Sequence, residues 1–255
     1  KDIILQMLEL SYKRRKIMSI EKQANSKLES YLDKLKDLSK PISLRSGMLI
    51  NSPYKYLGSK KKLLMVGFNP GGVPSYSETT IDEDFNRHEE DLSFNAMEEC
   101  WGANQIKAPG CHPIQLLYQA FLKHTSLEEE DVLVTNLYWQ RSQSSKDLII
   151  DDKLERACRE GFLLNAESHQ PETICFLGHE TASHLIDMGW SNICLMRGSS
   201  KYPWGENQKI KNYRMKFNGK SINTFSIPHP SRFGFGNSSE RLSSILDALI
   251  KNSDG

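Results

Sequence analysis

The stretch from residue 63 to residue 72 constrains the fold most, because four apolar residues run directly into a loop of Gly, Asn and Pro. It reads Leu-Leu-Met-Val-Gly-Phe-Asn-Pro-Gly-Gly, which is typical of a strand buried on both faces that then turns sharply. In open α/β sheets, ligands bind just beyond the carboxyl ends of the strands. The pattern predicts a strand that places Asn69 at a binding edge, although the backbone preferences of a plain turn explain the same residues.

Apolar runs of the same kind recur further along the chain. Residues 132–136 read Val-Leu-Val-Thr-Asn, and residues 173–178 read Thr-Ile-Cys-Phe-Leu-Gly. Residues 213–227 hold two more runs on either side of Asn218-Gly219, a dipeptide typical of a β-hairpin turn, and the second run leads to His229. Because each run is short and bounded by polar or turn residues, each is predicted to be a strand.

Segments with helical periodicity separate and follow these strands; they cover residues 113–124, 154–168, 179–188 and 239–249. Strands alternating with helices predict an α/β fold with a mostly parallel sheet covered on both faces. The carboxyl ends of parallel strands meet at one edge of a sheet. We therefore expect four strand-end residues to converge on one crevice: Asn69, Asn136, Gly178 and His229.

The N-terminal part of the chain differs from the rest in charge and pattern. Apolar residues at spacings of three and four predict one or two amphipathic helices within residues 3–38, ended by Pro41. Residues 1–62 hold fifteen lysines and arginines against six acids. We therefore divide the chain into a basic N-terminal helical extension, residues 1–60, and an α/β domain, residues 61–255.

The opposite charge dominates a segment in the middle of the chain. Residues 78–99 hold nine acids and a single arginine. Around them, from residue 73 to residue 105, the periodicity fades over a length greater than that of an ordinary loop. Such segments are typical of lids and mobile regions.

Composition excludes several classes of protein and site. Five cysteines without a Cys-x-x-Cys pair argue against a disulfide framework and a zinc site, so we predict no metal and no cofactor. No apolar run approaches the length of a membrane span and no signal peptide precedes the first helix, which predicts a soluble, cytoplasmic protein without a membrane partner. The net charge of +1 indicates no particular partner, and no protein partner is predicted.

Two carboxamides and one imidazole at one crevice suit recognition of a planar base and stabilisation of a leaving anion. Asn136 would pair with the edge of a pyrimidine held outside the helix, and His229 would donate to the pyrimidine O2 oxygen as negative charge develops. Asn69 would hold the attacking water. Plainer explanations stay open: His229 as a hydrogen-bonded histidine before a proline, and Asn136 as a turn residue.

Five short motifs, spread over about residues 63–249, resemble those of the uracil-DNA glycosylase superfamily in order and spacing. They are Gly67-Phe68-Asn69-Pro70-Gly71, Thr135-Asn136-Leu137, Leu177-Gly178 with Ala182, Arg197-Gly198, and His229-Pro230-Ser231. Asn in the first motif with His-Pro-Ser in the last most resembles the single-strand-selective monofunctional branch. The segment from Ala157 to Ala182 is also similar to the thermophilic iron-sulfur branch.

The resemblance implies a three-layer α/β/α domain with a four-stranded, mostly parallel sheet. Its expected partner is DNA, from which it flips one pyrimidine nucleotide and hydrolyses the N-glycosidic bond. The implied residues are Asn69 and His229 for catalysis, Gly67, Phe68, Gly71 and Asn136 for base binding, and Ser231, Arg232 and Phe233 for DNA binding, with Phe233 as a wedge. The aromatic residue that stacks on the base is left open among Tyr76, Phe94 and Trp101.

Departures from the family pattern refine this expectation. The most active uracil enzymes have Asp in the place of Asn69, and a neutral carboxamide predicts slower chemistry or an activated leaving group. Of the four cysteines that the iron-sulfur branch needs, only Cys158 falls in such a place, so no cluster is predicted. The motifs hold no lysine for a Schiff base, which predicts a monofunctional enzyme that leaves an abasic site.

The identity of the base stays open. Gly71 and Gly72 stand where the uracil-restricted branch has a bulky aromatic residue, so they leave room beside C5 for a substituent, although the turn alone explains both glycines. The base is then uracil or a 5-substituted or hypermodified pyrimidine. The alternatives are a phage-defence glycosylase specific for modified cytosine, such as glucosylated hydroxymethylcytosine, a catalytically inactive nucleic-acid-binding module, and a hydrolase of nucleotides or small molecules.

Overall fold

A computed structural model describes residues 23–71, 79–101, 108–187, 193–195, 210–230 and 245–246. The strands are β1 (Leu63–Gly67), β2 (Val132–Asn136), β3 (Thr173–Leu177), β4 (Ile193–Leu195), β5 (Lys211–Phe217) and β6 (Lys220–Ile227). The helices are α1 (residues 23–39), α2 (Ile81–Glu90), α3 (Pro113–His124), α4 (Asp152–His169) and α5 (His179–Asp187). The predicted helix over residues 239–249 lies outside the described residues, apart from residues 245 and 246.

The strands form one mixed sheet in the order β2-β1-β3-β6-β5-β4. The first four strands are parallel, and β5 and β4 continue the sheet with antiparallel pairing. The chain is therefore an α/β protein, as predicted, but its sheet has six strands, where the sequence pattern predicts five and the family resemblance implies four. Strand β4 has three residues, too few to show an alternating pattern in the sequence. The predicted hairpin is confirmed, with Asn218 and Gly219 at positive φ between β5 and β6.

Strand β1 is buried along its whole length, because its side chains enter two different hydrophobic clusters. Leu64 and Val66 belong to a cluster with residues of α1 and α4. Leu63 and Met65 belong to a cluster with residues of α3. The prediction that this strand is buried on both faces is confirmed.

The described part of the N-terminal extension packs on the sheet. Tyr31 and Leu35 of α1 lie in the same cluster as Val66 of β1, and the Tyr31 hydroxyl donates to Asn165 Oδ1 of α4. The helix passes into a short 3₁₀ turn that contains Pro41, as predicted from the restricted backbone of proline. Residues 1–22 lie outside the described residues, and the division of the chain at residue 60 stays a prediction.

The acidic segment contains a helix, so the prediction of a segment without periodic structure is wrong for residues 81–90. Helix α2 begins with a capping box, in which Thr80 and Glu83 bond each other's backbone N–H groups. Asp84 is buried on its inner face and accepts a hydrogen bond of 3.1 Å from the Leu49 N–H, and burial raises the pKa of Asp84 to about 7. Most other acids of α2 face solvent. None of the helices in the described part of the chain is long and apolar enough to span a bilayer.

Candidate functional site

The parallel strands bring the predicted catalytic and base-reading side chains to one edge of the sheet. Gly67 of β1 lies opposite Asn136 of β2, and the next strands, β3 and β6, pair with Leu177 opposite Ile227. Asn69 and His229 each lie two residues beyond a strand end. We call Asn69, Asn136 and His229 the strand-end site.

Asn69 is half-buried and its amide group is held by three acceptors. Its Nδ2 lies 2.8 Å from Ser142 Oγ, 3.0 Å from the Pro70 carbonyl oxygen and 3.4 Å from the Gln140 carbonyl oxygen. Backbone carbonyls only accept hydrogen bonds, so the group facing them is the NH₂ of Asn69. The Oδ1 atom accepts no hydrogen bond from any described residue. It is therefore the atom with which Asn69 can bind a water.

Asn136 lies across the end of β1 because position 67 is a glycine. A Cβ built on Gly67 would lie 2.5 Å from Asn136 Oδ1, well inside the distance of any real contact. The other end of the carboxamide donates through Nδ2 to Asn51 Oδ1 over 3.3 Å. Asn51 is buried and fixed by its backbone N–H, which donates to the Val134 carbonyl. Gly67 and Asn51 together hold the half-buried Asn136 side chain at the strand-end site.

His229 lies beside Gly178, the residue that directly follows β3. Gly178 has φ +105°, and a Cβ built on it would lie 3.6 Å from His229 Cδ2. Its N–H donates to the Ile227 carbonyl over 2.9 Å, which ties the ends of β3 and β6 together. The residue after Gly178 carries a second imidazole, that of His179. Its Nδ1 lies 2.6 Å from Ser226 Oγ of β6. His179 was not among the residues predicted from the sequence.

The Phe68 ring packs inside the protein. It is 6% exposed and lies 5.2 Å from the Tyr138 ring and 4.8 Å from the His184 ring, measured between centroids. Its carbonyl accepts the Tyr138 N–H over 2.8 Å. The predicted base-binding role of Phe68 stays a prediction, and its ring packs against protein side chains.

Gly71 is exposed, and a Cβ built on it would meet no heavy atom of the described residues within 4 Å. Its carbonyl accepts a hydrogen bond from Arg141 Nη1. Burial lowers the pKa of Arg141, and Asp84 opposes that shift. Arg141 has no ion pair among the described residues. The loop that carries Asn69 is therefore held by an arginine that sequence reasoning did not single out.

Several predicted residues cannot be placed relative to this site. Gly72, Ser231, Arg232, Phe233 and Tyr76 lie outside the described residues, as do Arg197 and Gly198. Of the aromatic residues proposed to stack on the base, Phe94 packs against His88 and Arg87, and Trp101 packs against His112. Their roles stay predictions.

The described cysteines form no cluster. Cys158 is buried and accepts a hydrogen bond from the Trp139 N–H over 3.4 Å, and burial raises the pKa of its thiol. Cys175 is buried as well, Cys100 is half-buried and Cys111 is exposed. Within the described ranges, no group of three or more His, Cys, Asp or Glu side chains could hold a metal ion.

Sequence reasoning missed the residues that fix the site residues in place. Ser142, Gln140 and Asn51 lie in loops, where side chains follow no period that a sequence pattern could reveal. The short Asn-Leu-Tyr-Trp-Gln-Arg-Ser run after β2 was the available signal, because it begins at a predicted strand end. No protein family model matches this chain, and no curated protein matches it.

Proposed function

We propose that this chain is a monofunctional DNA glycosylase of the uracil-DNA glycosylase type. It would flip a pyrimidine nucleotide out of DNA, hydrolyse the N-glycosidic bond and leave an abasic site. The observation that carries the proposal is the strand-end site, where two carboxamides with fixed orientation and an imidazole lie at the ends of parallel strands. The two hydrophobic clusters into which β1 projects support the three-layer α/β/α arrangement that such an enzyme would have.

Each strand-end residue has a role that its geometry supports. Asn69 Oδ1 accepts a hydrogen bond from the attacking water, which adds its oxygen to C1′ of the sugar. The bond from C1′ to the base breaks with its electron pair, and His229 donates to the base oxygen on which negative charge develops. Asn136 pairs with the edge of the flipped base. The proton that the water loses balances the proton that the released base takes up.

DNA is the proposed partner, and Ser231, Arg232 and Phe233 are the proposed contacts on the strand that carries the flipped nucleotide. An apolar wedge such as Phe233 offsets the stacking that the departed base loses. Arg141 is a further candidate for a phosphate contact, since it lies at the Asn69 loop and has no ion pair among the described residues.

A second candidate function is favoured by the surroundings of Gly71, where a Cβ would meet no heavy atom of the described residues within 4 Å. A base with a large group at C5, such as glucosylated hydroxymethylcytosine, needs room where a side chain would otherwise lie. A glycosylase for such bases would act in phage defence rather than in repair.

Replacing Gly71 with Tyr is expected to abolish release of a bulky modified base and to spare release of uracil, because the ring fills the space beside C5. Initial rates of base release on DNA that carries either base measure this difference. Gly71→Ala is the control for size, and it is expected to retain most of both activities. An equal loss on both substrates in Gly71→Tyr would contradict the role of this space in choosing the base.

The function is tested by a panel of DNA substrates. The purified protein is incubated with single- and double-stranded oligonucleotides that carry uracil or hydroxymethyluracil, and separately with hypermodified phage DNA. Alkali then cuts any abasic site, and mass spectrometry identifies the free base. Release of uracil indicates a repair-type enzyme, and release confined to phage DNA indicates a defence enzyme. Binding without any released base would instead indicate a nucleic-acid-binding module.

A further inference from the structure

We infer that Ser142 is a positioning residue that fixes position 69 as a site for a carboxamide and excludes a carboxylate. This inference rests on the proposed function, in which Asn69 Oδ1 holds the attacking water. It names a residue outside the five motifs and explains why the chain has Asn where the fastest enzymes of the resembling family have Asp.

The single hydrogen of the Ser142 hydroxyl is used in a hydrogen bond to another residue. It donates to the Ser144 carbonyl oxygen over 2.6 Å, and a carbonyl oxygen can only accept. Toward Asn69, over 2.8 Å, the Ser142 oxygen must therefore act as an acceptor. Ser142 is 4% exposed, so no bulk water competes for this arrangement.

The other two neighbours of the Asn69 amide enforce the same polarity. The carbonyl oxygens of Pro70 and Gln140 lie 3.0 and 3.4 Å from Nδ2. Three oxygen atoms thus face one end of the side chain, and they require a hydrogen-bond donor there, which the two hydrogens of the NH₂ group supply. Rotation of the amide by 180° would bring Oδ1 against all three. The Gln140 carbonyl and the Ser142 oxygen would then lose their donor, and the Pro70 carbonyl would keep only the Ser142 backbone N–H, at 3.3 Å. Oδ1 is thereby directed away from these three oxygen atoms.

An aspartate at position 69 would meet these oxygens with a carboxylate. The ionised form is disfavoured there, because it brings negative charge to three acceptors and offers no hydrogen. The protonated form is accommodated, since its single O–H replaces the amide donor and its other oxygen faces the water. Arg141, next to Ser142 in the chain, is a charged side chain of these loops and contacts the Gly71 carbonyl, and His229 lies at the same edge of the sheet.

Asn69→Asp is therefore expected to be active only when its carboxyl is protonated. Single-turnover base release, measured between pH 5 and pH 8, should fall about tenfold per pH unit above the pKa of that carboxyl, relative to wild type.

Ser142→Ala should lower the rate of the chemical step about tenfold while the affinity for DNA is unchanged. Ser145→Ala is the matched control, because its hydroxyl bonds Glu180 rather than the Asn69 loop, and it should retain the wild-type rate.

A second measurement needs no substrate. In protein labelled with ¹⁵N at asparagine, the Asn69 side-chain amide is assigned by its loss in Asn69→Asp. Its hydrogens should exchange slowly in wild type and faster in Ser142→Ala. If no DNA yields a free base, the proposed function fails, and the amide exchange still decides the inference. Activity of Asn69→Asp that stays level or rises with pH, or amide exchange unaffected by Ser142→Ala, would overturn it.

Discussion

Gly161→Ala is expected to lower the free energy of unfolding by about 3 kcal/mol, toward the upper end of what overpacking a core costs. Gly161 lies in α4 against the Trp139 indole, and a Cβ at this position would lie closer than 3.0 Å to two indole carbons. Trp139 is 1% exposed, so its ring is enclosed on every side and has no free space into which to move. At a solvent-exposed position inside a helix, replacing Gly with Ala stabilises the protein by about 1 kcal/mol. The sign of the change in the free energy of unfolding therefore tests the packing at Gly161.

Urea or guanidinium unfolding of the two proteins measures this difference. Gly71→Ala is the control, since a Cβ there meets no heavy atom of the described part of the chain within 4 Å, and it should change the free energy of unfolding by less than about 0.5 kcal/mol. A Gly161→Ala protein that is as stable as wild type, or more stable, would contradict the packing of Trp139 against α4.

Gly67→Ala is expected to slow base release by about 100-fold and to leave the stability nearly unchanged. The added Cβ would lie 2.5 Å from Asn136 Oδ1, the tip of a half-buried side chain that can turn aside, and its next neighbours lie 3.6 Å or more away. The cost therefore falls on the orientation of Asn136 rather than on the core. Loss of one preorganised hydrogen-bonding group at a reacting centre typically costs a factor of about 100 to 1,000 in rate.

A double-mutant cycle shows whether the effect passes through Asn136. Asn136→Ala alone should cause a loss of similar size, and the double variant Gly67→Ala with Asn136→Ala should be no slower than Asn136→Ala. If the losses of the two single variants multiply in the double variant, Gly67 acts on the reaction by another route. Unfolding experiments on the same four proteins separate this effect from a loss of stability.

Strands β1, β2 and β3 were the easiest part of the fold to predict, because each is a short apolar run with turn or polar residues at its end. Helix α2 was missed although its start was readable, since Thr80 and Glu83 have the spacing of a capping box. Acids dominate its sequence, and only its inner face, with Ile81 and Phe85, is apolar. The acidic composition concealed an ordinary amphipathic helix.

The strand-end site was predictable in kind, because parallel strands place their final residues at one edge. The residues that fix the side chains of this site were not predictable, since Ser142 is 73 residues from Asn69 and Asn51 is 85 residues from Asn136 along the chain. Contacts between loops depend on how the whole sheet is assembled, which a local pattern does not encode. The resemblance implied a base-binding role for Gly67, which stays a prediction, and the structure shows that a Cβ at this position would lie 2.5 Å from Asn136 Oδ1.

The most direct test of the proposed glycosylase compares wild type with His229→Ala on the DNA substrate that gives the fastest base release. Abasic sites are counted by alkaline cleavage under single-turnover conditions, and binding of the same DNA is measured in parallel. We expect wild type to release the base, and His229→Ala to be at least about 100-fold slower with unchanged affinity for DNA. Equal rates in the two proteins, or DNA binding by wild type without an abasic site on any substrate, would contradict the proposal.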